Sequence, residues 1–586
     1  MEPFLRRRRI HRKAQDIAPD EIFADSSNVS KFDTDRFEGR MELPLTRRRL
    51  FGVGAVLLAF AVFYLARAWD LQIKNGASYA DRSQRNQISR TVLFADRGVI
   101  VDRIGRQLAW NVPFIARSVV SDNVSASSTY GNTDTNETED IILSERKYTD
   151  YRGIANVVGY AKPPAQDSRG TFFREESVGV DGVEAAYNER LSGTNGATLA
   201  ETDARGKIVS QGVQEPANSG ATMMLSIDAS VSQGLYDAIA KRADGSHFIG
   251  GAGVVMDVQT GEVIAMVSYP EFPLQVMADG TNTRVINNLL ADKRQLFLDR
   301  ASSGLYTPGS IVKPIVALGA LTEGVVNENT QILSTGSISV KNPYDPAHPS
   351  VFKDWRAHGW VDVRDAIRVS SDVYFYEVGG GYGAQKGIGI DNIDKYLRMF
   401  GLGSTTGLEG FSEAVGTIPT PEWKEKVFKG DQWRVGDTYH TAIGQYGVQV
   451  TPLQMARSIA AIANGGTLLT PTLFASSTPS GTPVPISQRN LQIVREGMRM
   501  CVDNAGTAAA LNVGFVDVAG KTGTAQLGSH NQFMNSWVVG FFPYEHPRYS
   551  FALVLEKAPA GTLLGSPMAM LDFLSWMRDN APEYLK

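Results

Sequence analysis

The chain has 586 residues, which at roughly 100–200 residues per domain leaves room for three or four folded units. Lysine and arginine total 58 against 62 acidic residues, a net charge of −4 that offers no bulk attraction to nucleic acid, and 43% hydrophobic with 20% charged residues excludes a mainly disordered chain. The single cysteine, Cys501, rules out an internal disulfide or a multi-cysteine metal centre, and the seven histidines contain neither H-E-x-x-H nor H-x₃₋₅-H, so a zinc hydrolase has no support.

Residues 1–49 mix Arg6 to Arg9 with scattered acids and carry no periodic apolar face, which predicts a disordered tail. Residues 50–69, from Leu50 to Trp69, form an apolar run of about twenty residues, or ~30 Å of helix, enough to cross a hydrocarbon core. Arg67, in its last turn, can carry its guanidinium to the interface beside Trp69. Six basic residues lie between Lys31 and Arg49, and three between Asp70 and Ser89. This bias predicts a single-pass anchor with a cytoplasmic N-terminus and everything after Trp69 outside. Ala66-Arg67-Ala68 also fits a signal-peptidase site, but a leader before it would have an n-region of about 49 residues and an overlong apolar run.

Beyond the anchor, Val99, Ile100 and Val101 read as a strand, and Asp102 to Gly105 as a turn before Leu108. Ser121 to Asp140, rich in Ser, Thr, Asn and Asp, reads as a surface loop; its two N-x-[ST] matches, at Asn123 and Asn136, carry little information. The composition changes near residue 220, giving a division into 70–220 and 221–586. Val231 to Ile239 has helical spacing, and Ala252 to Ser268 reads as a hairpin about Gln259-Thr260-Gly261. From Ile311 to about residue 465 the period is mostly helical, whereas Asn535 to Phe542 and Ser550 to Leu555 read as buried strands. Strands at both ends with helices between them predict an α+β domain whose sheet joins its first and last segments.

Three segments can carry chemistry. In Tyr306-Thr307-Pro308-Gly309-Ser310-Ile311-Val312-Lys313-Pro314, Pro308 and Gly309 break the chain and Ser310 opens an apolar helical run. A serine there meets free N–H groups and the positive end of a helix, and Lys313, three positions on, shares its face. A desolvated lysine can lose its proton and act as base toward such a serine. A lone S-x-x-K is weak, since Ser144-Glu145-Arg146-Lys147 also fits; so is S-x-D, found at Ser370-Ser371-Asp372 and at Ser226-Ile227-Asp228. The third segment, Gly520-Lys521-Thr522-Gly523-Thr524, contains Gly-Lys-Thr, but a phosphate loop would need glycine where Phe515 stands.

Together and in this order, these segments resemble the active-site set of penicillin-binding proteins and serine β-lactamases. The segments RGVIVDRIGRQLA, GVDGVEAAYNERLSGTNG, GEVIAMVSYP, FLDRASSGLYTPGSIVKP and GQYGVQVTPLQMA extend the likeness over residues 80–580, to the class B, monofunctional penicillin-binding proteins. The resemblance implies an α+β transpeptidase domain at 221–586 with a central antiparallel sheet. It also implies an elongated pedestal of the dimerisation type at 70–220, borne on one transmembrane helix in the cytoplasmic (inner) membrane.

It further implies that Ser310 attacks the D-Ala-D-Ala carbonyl of a peptidoglycan stem peptide and becomes an acyl-enzyme, and that Lys313 takes the serine proton. Ser370 would relay a proton to the leaving D-alanine, and Asp372 would hold the network. Lys521 would keep Lys313 neutral and attract the substrate carboxylate. Thr522 and Thr524 would hydrogen-bond the peptide, Gly523 would let it lie close, and the N–H groups of Ser310 and Thr524 would form the oxyanion hole. Penicillin would acylate the same serine, and no cofactor or metal would be needed.

Aspartate at 372 and the segment Phe352 to Val363 (FKDWRAHGWVDV) resemble the elongation subgroup. The implied partners are the elongation machinery and a SEDS-type glycosyltransferase contacted through anchor and pedestal, since no second catalytic domain precedes residue 220; the short, polar stretch 112–150 offers little for such contacts. A division-type transpeptidase, a β-lactam receptor or scaffold, and a D,D-carboxypeptidase or β-lactamase remain alternatives on the same fold.

Overall fold

The computed structural model describes residues 47–77, 87–119, 138–167, 172–202, 208–342, 345 and 347–586. They fall into two units, one made of residues up to 88 with 201–209, the other of 89–200 and 210–586. The predicted tail before residue 47, and residues 121–137 of the predicted loop, lie outside the described residues; 138–140 begin a strand.

In the first unit, Arg47–Trp69 forms helix α1, followed by a π-helical turn at Asp70–Lys74. Within its apolar span, Phe51–Lys74, an 18-residue stretch reaches a mean hydropathy of 1.9, and none of that stretch is buried against the protein. A predominantly apolar helix of this length is what a bilayer accommodates.

The second unit begins with a small sheet. Strand β1 (Ile100–Val101) turns at Asp102, whose carboxylate accepts the N–H groups of Ile104 at 3.0 Å and Arg106 at 2.8 Å. This Asx turn feeds β2 (Gln107–Val119), which pairs antiparallel with β3 (Thr138–Tyr148) from Ala109↔Tyr148 to Val119↔Thr138. The alternative Ser144-x-x-Lys147 match lies on β3, a strand, where the two side chains do not share a face. Beneath the hairpin the fully buried Glu184 accepts from Arg97 at 2.5 Å, Arg146 at 2.8 Å and Tyr148 at 3.1 Å. A carboxylate this deep persists because every partner is present. Strand β4 (Met223–Met224) runs parallel to β1 and leads into the larger domain.

There, helix α2 (Ala229–Gly245) is capped by Asp228, which accepts from the N–H groups of Ser230 and Val231. The hairpin of β5 (Gly250–Asp257) and β6 (Val263–Tyr269) follows, with both strands buried throughout. The helical middle includes α3 (Lys313–Thr322), α4 (Val363–Val369), α5 (Asp372–Gly380), α6 (Val435–Ala442), α7 (Pro452–Ala463) and α8 (Gln488–Val502). The last strands are β7 (Ala519–Leu527), β8 (Phe533–Phe542) and β9 (Tyr549–Pro559), before α9 (Ser566–Asn580).

The sheet order is β6-β5-β9-β8-β7, antiparallel throughout, so the first and last segments of the domain meet at the β5–β9 seam. Successive side chains alternate faces: Val255 joins Leu235 and Phe573 of α2 and α9, whereas Val254 and Met256 join Ile315 and Leu453 of α3 and α7. A sheet covered on both faces explains strands that read as unbroken apolar runs. Strand β7 is left at an edge, beside the start of α3.

Candidate active site

Ser310 sits in a single 3₁₀ turn, Gly309–Val312, immediately before α3. Pro314 falls at the second position of α3, where its missing N–H costs no intrahelical bond. Gly309 has φ +59°, and a Cβ there would stand 2.8 Å from Thr524 O, so the turn requires glycine twice over. Three contacts fix the turn: Gly309 N–H donates to Gly444 O at 2.9 Å, Tyr306 exchanges two backbone bonds with Val450, and Trp537 Nε1 donates to Thr307 O at 3.0 Å. The segment GQYGVQVTPLQMA is thus the brace of the serine turn.

Ser370 ends α4 in the left-handed region, φ 58°, and Ser371 caps α5 by accepting Tyr374 N–H. Serine is an unfavourable residue for that conformation and needs support from its surroundings. Lys313 Nζ donates to Ser370 O at 2.8 Å and to Ser370 Oγ at 3.3 Å, and Lys521 Nζ donates to Ser370 Oγ at 2.8 Å. A second support comes from Asp354, whose Oδ2 accepts from Ser371 Oγ at 2.8 Å, Val373 N–H at 3.0 Å and Ser334 Oγ at 3.2 Å. Burial pushes this carboxyl up, yet the Val373 N–H and Ser371 hydroxyl outweigh it and hold Asp354 below the ordinary aspartate value.

Lys313 and Lys521 are both fully buried. The third bond of Lys313 Nζ goes to Asp372 Oδ1 at 2.6 Å, which occupies all three of its donors. None of the hydrogen bonds among the described residues joins Lys313 Nζ to the Ser310 hydroxyl; in ligand-free enzymes such catalytic contacts are commonly long. Burial brings the Lys521 ammonium down to about 7; the neighbouring Cys501 opposes this and the charge of Lys313 reinforces it. Lys521 also donates to Thr522 O at 2.8 Å.

On β7, Thr522 and Gly523 pair with Val538 and Trp537 of β8, and among the described residues no strand pairs with the other edge. Gly520-Lys521-Thr522 is therefore a strand, with none of the loop geometry that cradles phosphate. Gly523 passes so close to the serine turn that a Cβ would lie 2.7 Å from Pro308 O and 2.9 Å from Ile311 Cγ2. Thr522 Oγ1 donates to Thr507 Oγ1 at 2.7 Å. An unpaired strand edge presents N–H and C=O groups to an extended peptide.

A cleft of about 1140 Å³ opens here, lined by Ser310, Ser370, Asp372, Thr522, Gly523 and Thr524. Lys313 and Lys521 lie under it and converge on Ser370, so all eight residues singled out in the sequence belong to one site. Asp354, Trp355, Thr507 and His440 also line the cleft. Asp354 and Trp355 fall within the FKDWRAHGWVDV segment, and that position was their only signal in the sequence. Among the described residues, no group of three or more His, Cys, Asp or Glu is placed to hold a metal ion.

The arrangement can do acyl-transfer chemistry: a serine at a helix start, a proton relay of two lysines and a second serine, and an open strand edge beside them. A family model described as the penicillin-binding protein transpeptidase domain matches residues 251–569, and one described as the penicillin-binding protein dimerisation domain matches 141–225. The peptidoglycan D,D-transpeptidase MrdA of Haemophilus influenzae is 28% identical, with 92% of this chain and 93% of that protein covered. The penicillin-binding protein PBP2 of Helicobacter pylori, solved in complex with MreC, superposes with a TM-score of 0.69 at 26% identity, covering 84% of this chain and all of that one. A chain from a peptidoglycan synthase complex described as coordinating polymerization and crosslinking gives a TM-score of 0.70 at 28% identity, covering 90% of this chain and 97% of that one.

Proposed function

The chain belongs to the penicillin-binding protein transpeptidases, and we propose that it is the membrane-anchored, elongation-type peptidoglycan D,D-transpeptidase of its cell. Its substrates are stem peptides ending in D-Ala-D-Ala, and its product is a crosslink. The observation that carries this reading is the meeting of two buried lysines on Ser370, Lys313 at 3.3 Å and Lys521 at 2.8 Å from its hydroxyl, beside Ser310 at the floor of an open cleft.

In this reading the donor stem lies along the free edge of β7. Thr522 and Thr524 hold its terminal carboxylate, and Gly523 lets the peptide approach. The Ser310 hydroxyl attacks the penultimate D-alanine carbonyl, and its proton passes to Lys313 as Lys313 gives one of its own to Ser370. The N–H groups of Ser310 and Thr524 receive the oxyanion; loss of one such donor costs about 2.7–4 kcal/mol of barrier in comparable sites. The closeness of Gly309 to Thr524 O supports that pairing of backbones. Ser370, bonded to both lysines, returns a proton to the departing D-alanine amine. Lys521, brought to about 7 by burial, is poised to give or take a proton at neutral pH. Asp372 fixes Lys313 through their 2.6 Å ion pair. The acyl group then passes from Ser310 to an amine of a neighbouring stem.

We assign residues 1–49 to a cytoplasmic tail, 50–69 to a single inner-membrane span, 70–220 to the pedestal and 221–586 to the catalytic domain outside. The elongation machinery is the partner class, with a SEDS-type glycosyltransferase meeting the anchor and pedestal. Labelled penicillin tests the catalytic reading on the full chain in detergent: intact mass and peptide mapping should find one adduct, on Ser310, absent from Ser310→Ala. An adduct on the alanine variant, or none on wild type, refutes it.

A further inference from the structure

In the transpeptidase reading, on which this inference rests, the second half-reaction needs a base of its own. The acceptor amine must lose a proton as it attacks the acyl carbon. Both lysines lie fully buried beneath the cleft, and in that reading they are committed to the protons of Ser310 and Ser370. Asp354 is held as a carboxylate by three donors, and the Tyr376 hydroxyl donates to Lys353 O at 3.2 Å.

His440 stands apart. It lies in the last turn of α6 and lines the same cleft as Ser310 and Asp372. Its side chain is open to that cleft, and among the described residues neither ring nitrogen has a hydrogen-bond partner. The ring of Phe352 meets it edge-on, with centroids 5.5 Å apart at 87°, which fixes the plane of the imidazole. Phe352, Trp355, Tyr376 and Tyr446 line the same space. We propose that His440 is the base that takes the proton from the acceptor amine, so that this wall of the cleft is the acceptor subsite and its ligand a primary amine.

Several groups set the imidazole's charge. Its own helix carries Asp437, engaged by Lys424 at 2.7 Å; α5 presents Asp372, engaged by Lys313, together with Tyr376. The strand segment before α4 presents Lys353 and Asp354, and the loop after α6 presents Tyr446. Packing against the protein lowers the proton affinity of His440 more than Asp437 and Asp372 raise it, so the ring is neutral at pH 7. In the step, the amine nitrogen bonds to the acyl carbon, its proton goes to His440, and the bond from that carbon to Ser310 Oγ breaks. Ser310 Oγ takes a proton from the lysine–Ser370 relay. The imidazolium then returns its proton to solvent, and the relay is refilled from solvent.

The test uses the full chain in detergent, a thioester of N-benzoyl-D-alanine as donor and D-alanine as acceptor. In His440→Gln, transfer to the amine should fall about a hundredfold, at the low end of what a general base contributes, whereas the penicillin acylation rate should stay within about twofold of wild type. Transfer by wild type should rise with pH through the imidazole titration, and the Gln variant should lose that limb. His440→Asn serves as the second variant. Transfer at wild-type rate in either variant, an unchanged pH limb, or a parallel fall of acylation and transfer in both overturns the proposal. Failure of wild type itself to react with penicillin would instead overturn the transpeptidase reading.

Discussion

Replacing Lys521 by methionine removes a charge that the fold holds at a cost. Burial brings this ammonium to about 7 from an ordinary 10.5. Between those values the folded protein binds fewer protons than the unfolded chain, so stability must rise with pH across that window. At 1.36 kcal/mol per pKa unit, the penalty is about 4 kcal/mol at pH 7 and under about 1 kcal/mol at pH 10. The methionine variant carries none of this penalty, but forgoes the bonds to Ser370 Oγ and Thr522 O, each 2.8 Å and worth about 1.5–3 kcal/mol for a charged donor. At pH 7 the variant should therefore be about as stable as wild type while losing at least about a hundredfold in penicillin acylation. The sharper expectation concerns the difference between the two: wild type should gain on the order of 3 kcal/mol relative to Lys521→Met between pH 7 and pH 10. Urea midpoints at both pH values measure it, and the tyrosines and other groups that titrate in both proteins cancel. Parallel stability profiles would refute the desolvated lysine, and with it the physical basis for proton transfer near neutrality.

Gly523→Ala should drive a Cβ to within 2.7 Å of Pro308 O and displace the serine turn, costing about 1–3 kcal/mol of stability and at least tenfold in acylation rate, read by thermal melting and stopped-flow penicillin binding. Asp354→Ala should leave Ser371, Ser334 and the Val373 N–H without their acceptor, costing about 1–3 kcal/mol and slowing acylation by loosening the left-handed turn at Ser370; wild-type kinetics in that variant would remove the support assigned to Asp354. Glu271, which accepts Gly153 N–H at 2.7 Å and Ala155 N–H at 3.0 Å, is pushed up to about 7 by burial. Here the folded state binds more protons than the unfolded chain between 4.5 and 7, so wild type should lose on the order of 2–3 kcal/mol relative to Glu271→Gln as pH rises through that range, measured by denaturant titration at its two ends.

The chemistry-bearing residue types were legible because they act through local context. Gly309, Ser310 and Lys313 announce a chain break and a helix start; the uncharged stretch from Leu50 announces a helix that needs lipid; the apolar runs at both ends of residues 221–586 announce buried strands. Each of these signals spans fewer than about twenty residues, the range over which backbone period and hydropathy speak. What stayed hidden is what the fold brings together across long separations. Ser370 and Lys521 are 151 positions apart, and Lys313 and Asp372 are 59. The left-handed φ of Ser370 is invisible in the sequence because it is stabilised by lysines from two other elements rather than by its neighbours in the chain. The same holds for the desolvation of Lys521: its short apolar context does not announce it, and only the packing of β7 against the serine turn and α8 buries that ammonium and loosens its proton. The amino-acid order thus decided which groups are present and which elements carry them, through periodicity and local breaks. Their charge states, their partners and the strand edge left open for a peptide were decided by packing, because electrostatic environment depends on everything within a few ångströms in space, wherever it lies in the chain.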